Sequence, residues 1–211
     1  TIYAKINFFY DQCRKFSQAK EKKIKSTNFK SLKISSDHQF YQTNWRAKGD
    51  DEFNVQLYNL SSTDNDSGYV FVSSLNFDPQ VISEEINKHA LAIGDLNKCI
   101  PHRHYARYIL NDDYGNDKDL QKESPIKARF RNKPTKGMQI YKTYTMFAHF
   151  LHLRELLGKT KYLTLYNDYD PALKSVIAPI FANRIKNNTL EAYALGFSYH
   201  AKGESRKKKE L

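Results

Sequence analysis

Three aspartates stand where apolar stretches give way to polar ones. Asp37 closes "LKISSD", in which Leu32 and Ile34 alternate with polar residues. Asp168 and Asp170 follow Leu163, Leu165 and Tyr166 in "KYLTLYNDYDPALKSVIAPIF". Alternation with a period of two marks a half-buried strand, so Asp37 and Asp168 are expected at the carboxyl ends of strands. Carboxylates gathered there suit magnesium, a hard cation that takes oxygen ligands and keeps waters and phosphate oxygens. Two such ions clamp the attacking and leaving oxygens of an in-line phosphoryl displacement. The competing role is helix capping, natural for Asp170, which precedes Pro171 and a helical apolar pattern. No helical pattern follows Asp37, so capping does not account for it. A third carboxylate from a helix after the last strand would complete the site. Glu204 is the candidate and Glu191 a poorer one. "KGESRKKKEL" reads equally as a solvated tail, and an acid beyond Leu211 is the remaining alternative.

The elements that must position these acids follow from periodicity. Residues 2–20 read as a helix, with Ile2, Ile6, Phe9, Cys13 and Phe16 spaced at three to four, ended by the basic run "KEKKIK". "SLKISSDHQFYQTNW", "EFNVQLYNLSSTD" and "GYVFVSSLNFD" read as three strands of an antiparallel meander, with "TDNDSG" as turn chemistry between the last two. A short helix is expected over 79–95, opening on Pro79. Residues 79–140 then form an insertion, polar and irregular, with "HYARYIL" as one helix inside it. A helix over 141–157, a strand "YLTLY", a helix over 171–186 and a last strand "LEAYALGFS" complete the order. A mixed sheet with helices on its faces is the expected architecture. Ligands in such sheets gather at the carboxyl ends of strands.

The bulk numbers restrict the function. Residues 1–30 form an N-terminal helix and basic linker, 31–198 the core with its insertion, and 199–211 a basic tail. A chain that opens on threonine and closes on such a tail reads as a piece of a longer protein. Hydrophobic residues make up 40% of the chain, enough for a core, and no apolar run approaches the ~20 residues of a membrane helix. Lys and Arg number 34 against 23 Asp and Glu, a formal charge of +11, which favours polyanions and nucleic acid first. Candidate phosphate contacts are Lys22, Lys23, Lys25, Arg103, Arg107, Lys127, Arg129, Arg131 and the run from Arg206 to Lys209. Each is equally readable as a solvated charge. Cys13 and Cys99 match no zinc or disulfide spacing and read as buried thiols in a reducing interior. "HRH" at His102–His104 reads as a basic loop, and His149 and His152 as structural histidines on one helix face.

In element order, and in "LKISSDHQFYQTNW", "TDNDSGYVFVSSLNFD" and "YLTLYNDYDPAL", the chain resembles the catalytic domain of DDE-type transposases and retroviral-type integrases, above all bacterial insertion-element transposases. The resemblance covers roughly residues 30–198. It implies a ribonuclease-H-like, mixed five-stranded sheet: three antiparallel strands, then parallel β-α-β-α-β, with helices on both faces. It implies that Asp37 and Asp168 are the first two catalytic acids and metal ligands, with Asp170 taking part if the register slips. The interval from Asp168 to Glu204 matches the family's spacing. The long segment 79–140 departs from it. The implied activity is metal-dependent DNA cleavage and strand transfer with two magnesium ions, manganese being an alternative. The implied partners are double-stranded DNA, as transposon ends and target, in a bacterial, nucleoid-associated cytoplasmic setting. A homo-oligomer is compatible with this, and no membrane is expected. Two alternatives stay open: a non-catalytic nucleic-acid-binding or assembly module with the same fold, and a nuclease without transposition.

Overall fold

The computed structural model describes residues 1–46, 52–113 and 136–196, with the side chains of 43–46 and 52–55 left aside. Its elements in chain order are α1 (Ile2–Ser26), β1 (Ser31–Arg46), β2 (Glu52–Asp64), β3 (Val70–Leu75), β4 (Phe77–Ile82) and α2 (Ser83–Ala92). After two 3-10 turns come β5 (Lys136–Gln139), α3 (Lys142–Leu156), β6 (Tyr162–Asp168), α4 (Pro171–Ile180), α5 (Ala182–Lys186) and β7 (Leu190–Leu195). Among the described residues, no helix is long and apolar enough to cross a membrane.

Five strands form one mixed sheet in the order β3-β2-β1-β6-β7. β1, β2 and β3 pair antiparallel, and β6 runs parallel to both β1 and β7. The turn after β2 is closed by Asp64, which accepts from the Ser67 N–H at 2.9 Å and the Ser67 hydroxyl at 2.6 Å, with Gly68 at φ 71. That positive φ is one that glycine adopts without a Cβ penalty.

Burial alternates along the central strands. Leu32, Ile34 and Ser36 of β1, and Leu163, Leu165 and Asn167 of β6, point to the side covered by α3 and α4. There they pack on Met146, Phe150 and Leu153 of α3 and on Leu173, Val176 and Ile177 of α4. The opposite side carries Ser61, Ser73 and Asn59, joined by hydrogen bonds of 3.1 Å. It also carries Tyr166 stacked on Tyr193, with ring centroids 5.5 Å apart. Helices were expected on both faces; among the described residues the apolar core lies on one.

A buried polar cluster crosses this core. His149 of α3 has no solvent exposure. Its Nε2 lies 2.7 Å from the Ser62 hydroxyl and its Nδ1 3.0 Å from that of Ser74, while Ser62 and Ser36 are 2.6 Å apart. Burial and the neighbouring His152 charge push the His149 pKa down to about 4, so the ring is neutral and can serve one donor and one acceptor.

The segment between β3 and α3 departs from expectation. The third strand breaks at buried Asn76, whose Oδ1 accepts from the Tyr58 N–H at 2.7 Å and whose Nδ2 donates to the Ile140 carbonyl at 3.3 Å. Pro79 lies inside β4, between the pairs Asp78↔Met138 and Ile82↔Lys136, where the register shifts; the helix starts only at Ser83. A bulge tolerates a residue without an N–H. Gly137 takes φ 89, and a Cβ there would run into the Phe77 ring. "HYARYIL" is turn and bridge, not helix. Asp95 takes its first amides: the carboxylate accepts from His104 and Tyr105 N–H at 2.9 Å each and from Lys98 at 3.1 Å. Burial works against ionisation, yet those donors hold Asp95 at about 2. Around them Ala90, Tyr108, Leu110 and Met138 form a second, smaller core.

Three more expectations change. α1 runs past "KEKKIK" to Ser26, because Ile24 packs on the core and Lys25 meets Glu155 at 2.6 Å. The helix expected over 171–186 divides at Phe181 into α4 and α5. Cys13 and Cys99 are exposed thiols: α1 buries none of its residues, and Cys99 lies between the 3-10 turns.

Candidate metal centre

The parallel ladder between β1 and β6 ends with the pair Ser36↔Asn167. The next residue on each strand is an aspartate, Asp37 and Asp168. Side chains alternate along a strand. With Ser36 and Asn167 buried among the helices, Asp37 and Asp168 turn to the opposite side, Asp37 exposed and Asp168 half-buried. The expectation that both acids meet at the strand ends therefore holds in the geometry.

Their proximity has an electrostatic signature. Asp168 is pushed above the ordinary carboxylate value of 3.8, first by burial, then by a hydrogen bond and repulsion from Asp37, with a smaller push from Asp170. His38 opposes the shift. Asp37 Oδ1 accepts the His38 N–H at 2.7 Å. One donor atom each from Asp37, His38 and Asp168 lie within 4.8 Å of one another. Two carboxylates and an imidazole form a donor set that a divalent cation can occupy. The Nδ1 of His38 is buried and has no hydrogen-bond partner among the described residues, as a ring awaiting a ligand would.

Asp170 has a different occupation. Its Oδ1 accepts from the Ala172 N–H at 2.8 Å, capping α4, and its Oδ2 lies 3.8 Å from Lys142 Nζ. It stands outside the Asp37–His38–Asp168 group, and one of its two oxygens is committed to the cap. Lys142, at the start of α3, is thus beside Asp170, with its ammonium 5.1 Å from the Tyr58 ring centre and 5.6 Å from that of Phe40.

Glu191 is not the third acid. It pairs with Thr164, four residues before Asp168, which is about 13 Å along the strand, and it accepts from the Tyr193 hydroxyl at 3.0 Å. Glu204 lies outside the described residues, as do Lys127, Arg129, Arg131 and Arg206–Lys209.

The described basic candidates separate by burial. Arg103 is committed inward: its side chain is 9% exposed, paired with Asp113 at 2.8 Å and bonded to the Lys98 carbonyl at 3.0 Å. A guanidinium held so is occupied by protein partners. Arg107 lies over the Tyr108 ring with a side chain 59% exposed, and Lys22 is exposed on α1. Lys25 is shared with Glu155.

His38 was not among the candidates, because strict alternation places it on the face away from Asp37. The adjacency of Asp37 and His38 was the one visible signal. Comparison with protein-family models, curated proteins and solved structures returns no match.

Proposed function

We propose that the chain is a DDE-type transposase or integrase catalytic domain of ribonuclease-H-like fold, which cleaves DNA phosphodiesters and transfers the strand with magnesium. The observation that carries this reading is the placement of Asp37 and Asp168 side by side at the carboxyl ends of adjacent parallel strands. The strand order, three antiparallel strands followed by two parallel ones, supports it. So does the formal +11 charge, which suits a phosphate backbone.

When bound, the divalent ion supplies Lewis acidity for the nucleophile and charge neutralisation for the phosphate. The protein's part is binding and orientation. Asp37 and Asp168 supply anionic oxygens from backbone that the sheet holds rigid. Asp168 binds a cation as its carboxylate, and its raised pKa makes that binding weaken with acid. Exposed Arg107 and Lys22 hold the duplex through phosphates, which positions DNA without reading its sequence.

The test is cleavage of duplex DNA by the full chain in magnesium or manganese. Asp37→Asn and Asp168→Asn should each abolish it and leave DNA binding largely intact. Undiminished cleavage by both variants would refute the proposal, and binding without metal-dependent cleavage in the wild type would favour a non-catalytic module.

A further inference from the structure

His38 occupies an unusual position. β1 has no partner from β6 beyond Ser36, so His38 flanks the open end of the neighbouring strand. No β6 backbone separates the two sides of the sheet there. The imidazole packs against Phe40 and Tyr58, with ring centroids 5.6 and 5.5 Å away, which fixes its plane. From that seat one ring nitrogen comes within 4.8 Å of a carboxylate oxygen of both Asp37 and Asp168. On an octahedral ion of magnesium size, opposite donors stand about 4.2 Å apart and adjacent ones about 3.0 Å, so side-chain rotations that close the pairs by up to about 1.8 Å seat all three donors.

The buried Nδ1 gives an independent indication. Among the described residues it has no hydrogen-bond partner. As a donor it would waste a proton, and as an acceptor it would waste a lone pair. Buried polar atoms are rarely left so, and this one belongs to an imidazole that stands beside two carboxylates.

We propose that His38 is the third protein ligand of the cation held by Asp37 and Asp168, and that its imidazole shifts the site's preference from magnesium toward manganese and later transition ions. The assignment rests on the metal reading of that site. Carboxylate and water suit magnesium and manganese alike, whereas an imidazole nitrogen adds affinity in the order of the transition series. A site of three carboxylates would lack that bias.

The experiment uses the full chain with manganese as the probe. Electron spin echo spectroscopy of bound Mn2+ detects a directly coordinated nitrogen, and calorimetry gives the Mn2+ to Mg2+ affinity ratio. The wild type should show imidazole nitrogen coupling. His38→Gln should lose the coupling and lower the affinity ratio several-fold, while His102→Gln and His104→Gln retain both. Mn2+ binding that needs Asp37 but shows no nitrogen coupling would overturn the role of His38 and leave the carboxylate site standing. Mn2+ binding that survives Asp37→Asn unchanged, or no binding at all, would overturn both. The coupling is read first in the wild type, so a poorly folding variant cannot shield the assignment.

Discussion

Asp37 and Asp168 are the first residues past the last rung of the β1–β6 ladder, Ser36 with Asn167. In a parallel pair the two strands point the same way. Equal steps past one rung therefore bring the two side chains to the same level and the same face. The sheet holds these like charges together, and repulsion is the cost.

That cost has a sign that can be measured. A carboxylate with a raised folded-state pKa binds more protons when folded than when unfolded. In the metal-free protein, stability should fall as pH rises from 3.8 through the raised value of Asp168. Asp168→Asn should raise the melting temperature of the metal-free protein at neutral pH. The gain should stay below the ~2–4 °C that about 1 kcal/mol brings to a domain of this size, because the site is partly solvated. Magnesium should stabilise the wild type and not the variant, and its affinity should weaken as pH falls. Calorimetric melts with and without magnesium check both signs.

His149 works in the opposite direction. Its folded-state pKa is depressed from 6.5 to about 4, so the folded protein resists the proton that the unfolded chain accepts. Stability present above 6.5 should decline as pH falls toward 4, by a total on the order of 3 kcal/mol. Urea titrations across that range should show the decline in the wild type and a flatter profile in His149→Gln, which has no group titrating there. An equal slope in both proteins would remove His149 as the cause.

Asp170→Ala should cost about 1 kcal/mol of stability through loss of the α4 cap. Metal affinity should change little, because Asp170 touches Asp168 only through its charge. Urea midpoints and manganese titrations of the one variant separate the two effects. A loss of metal binding without loss of stability would mean that Asp170 is the ligand and that the strand register is displaced by two.

The strand position of Asp168 and the cap at Asp170 were legible in the residues: Asp168 continues an alternating strand, and Asp170 sits before a proline and a helical repeat. The parallel pairing of "LKISS" with "YLTLY" was legible for the same reason, since both alternate and both end in acid. What escaped depends on contacts distant in sequence. Nothing local to Asn76 announces that Tyr58 and Ile140 will divide the third strand between two sheets. Nor does "HYARYIL" announce that Asp95 will draw its first amides out of a helix. His38 escaped because alternation holds only while strands flank each other, and β6 stops beside it.

Arg103 and Arg107 sit four residues apart and should behave differently. Arg107→Ala should weaken duplex binding and reduce its salt dependence by about one phosphate contact, with stability unchanged. Arg103→Ala leaves Asp113 buried without its cation, which typically costs ~3–5 kcal/mol, and should unfold the small core around Tyr108. Binding measured at two salt concentrations, with melting curves of both variants, makes the comparison. Duplex affinity indifferent to salt would remove the electrostatic basis of the DNA reading.

If Asp37 and Asp168 jointly hold one divalent ion, crystals grown with manganese will reveal it through the anomalous scattering of the ion. A peak is expected within about 2.2 Å of a carboxylate oxygen from each of the two residues, absent from Asp37→Asn crystals. A manganese-saturated protein with no peak between them, or a peak on Asp170 alone, would contradict it.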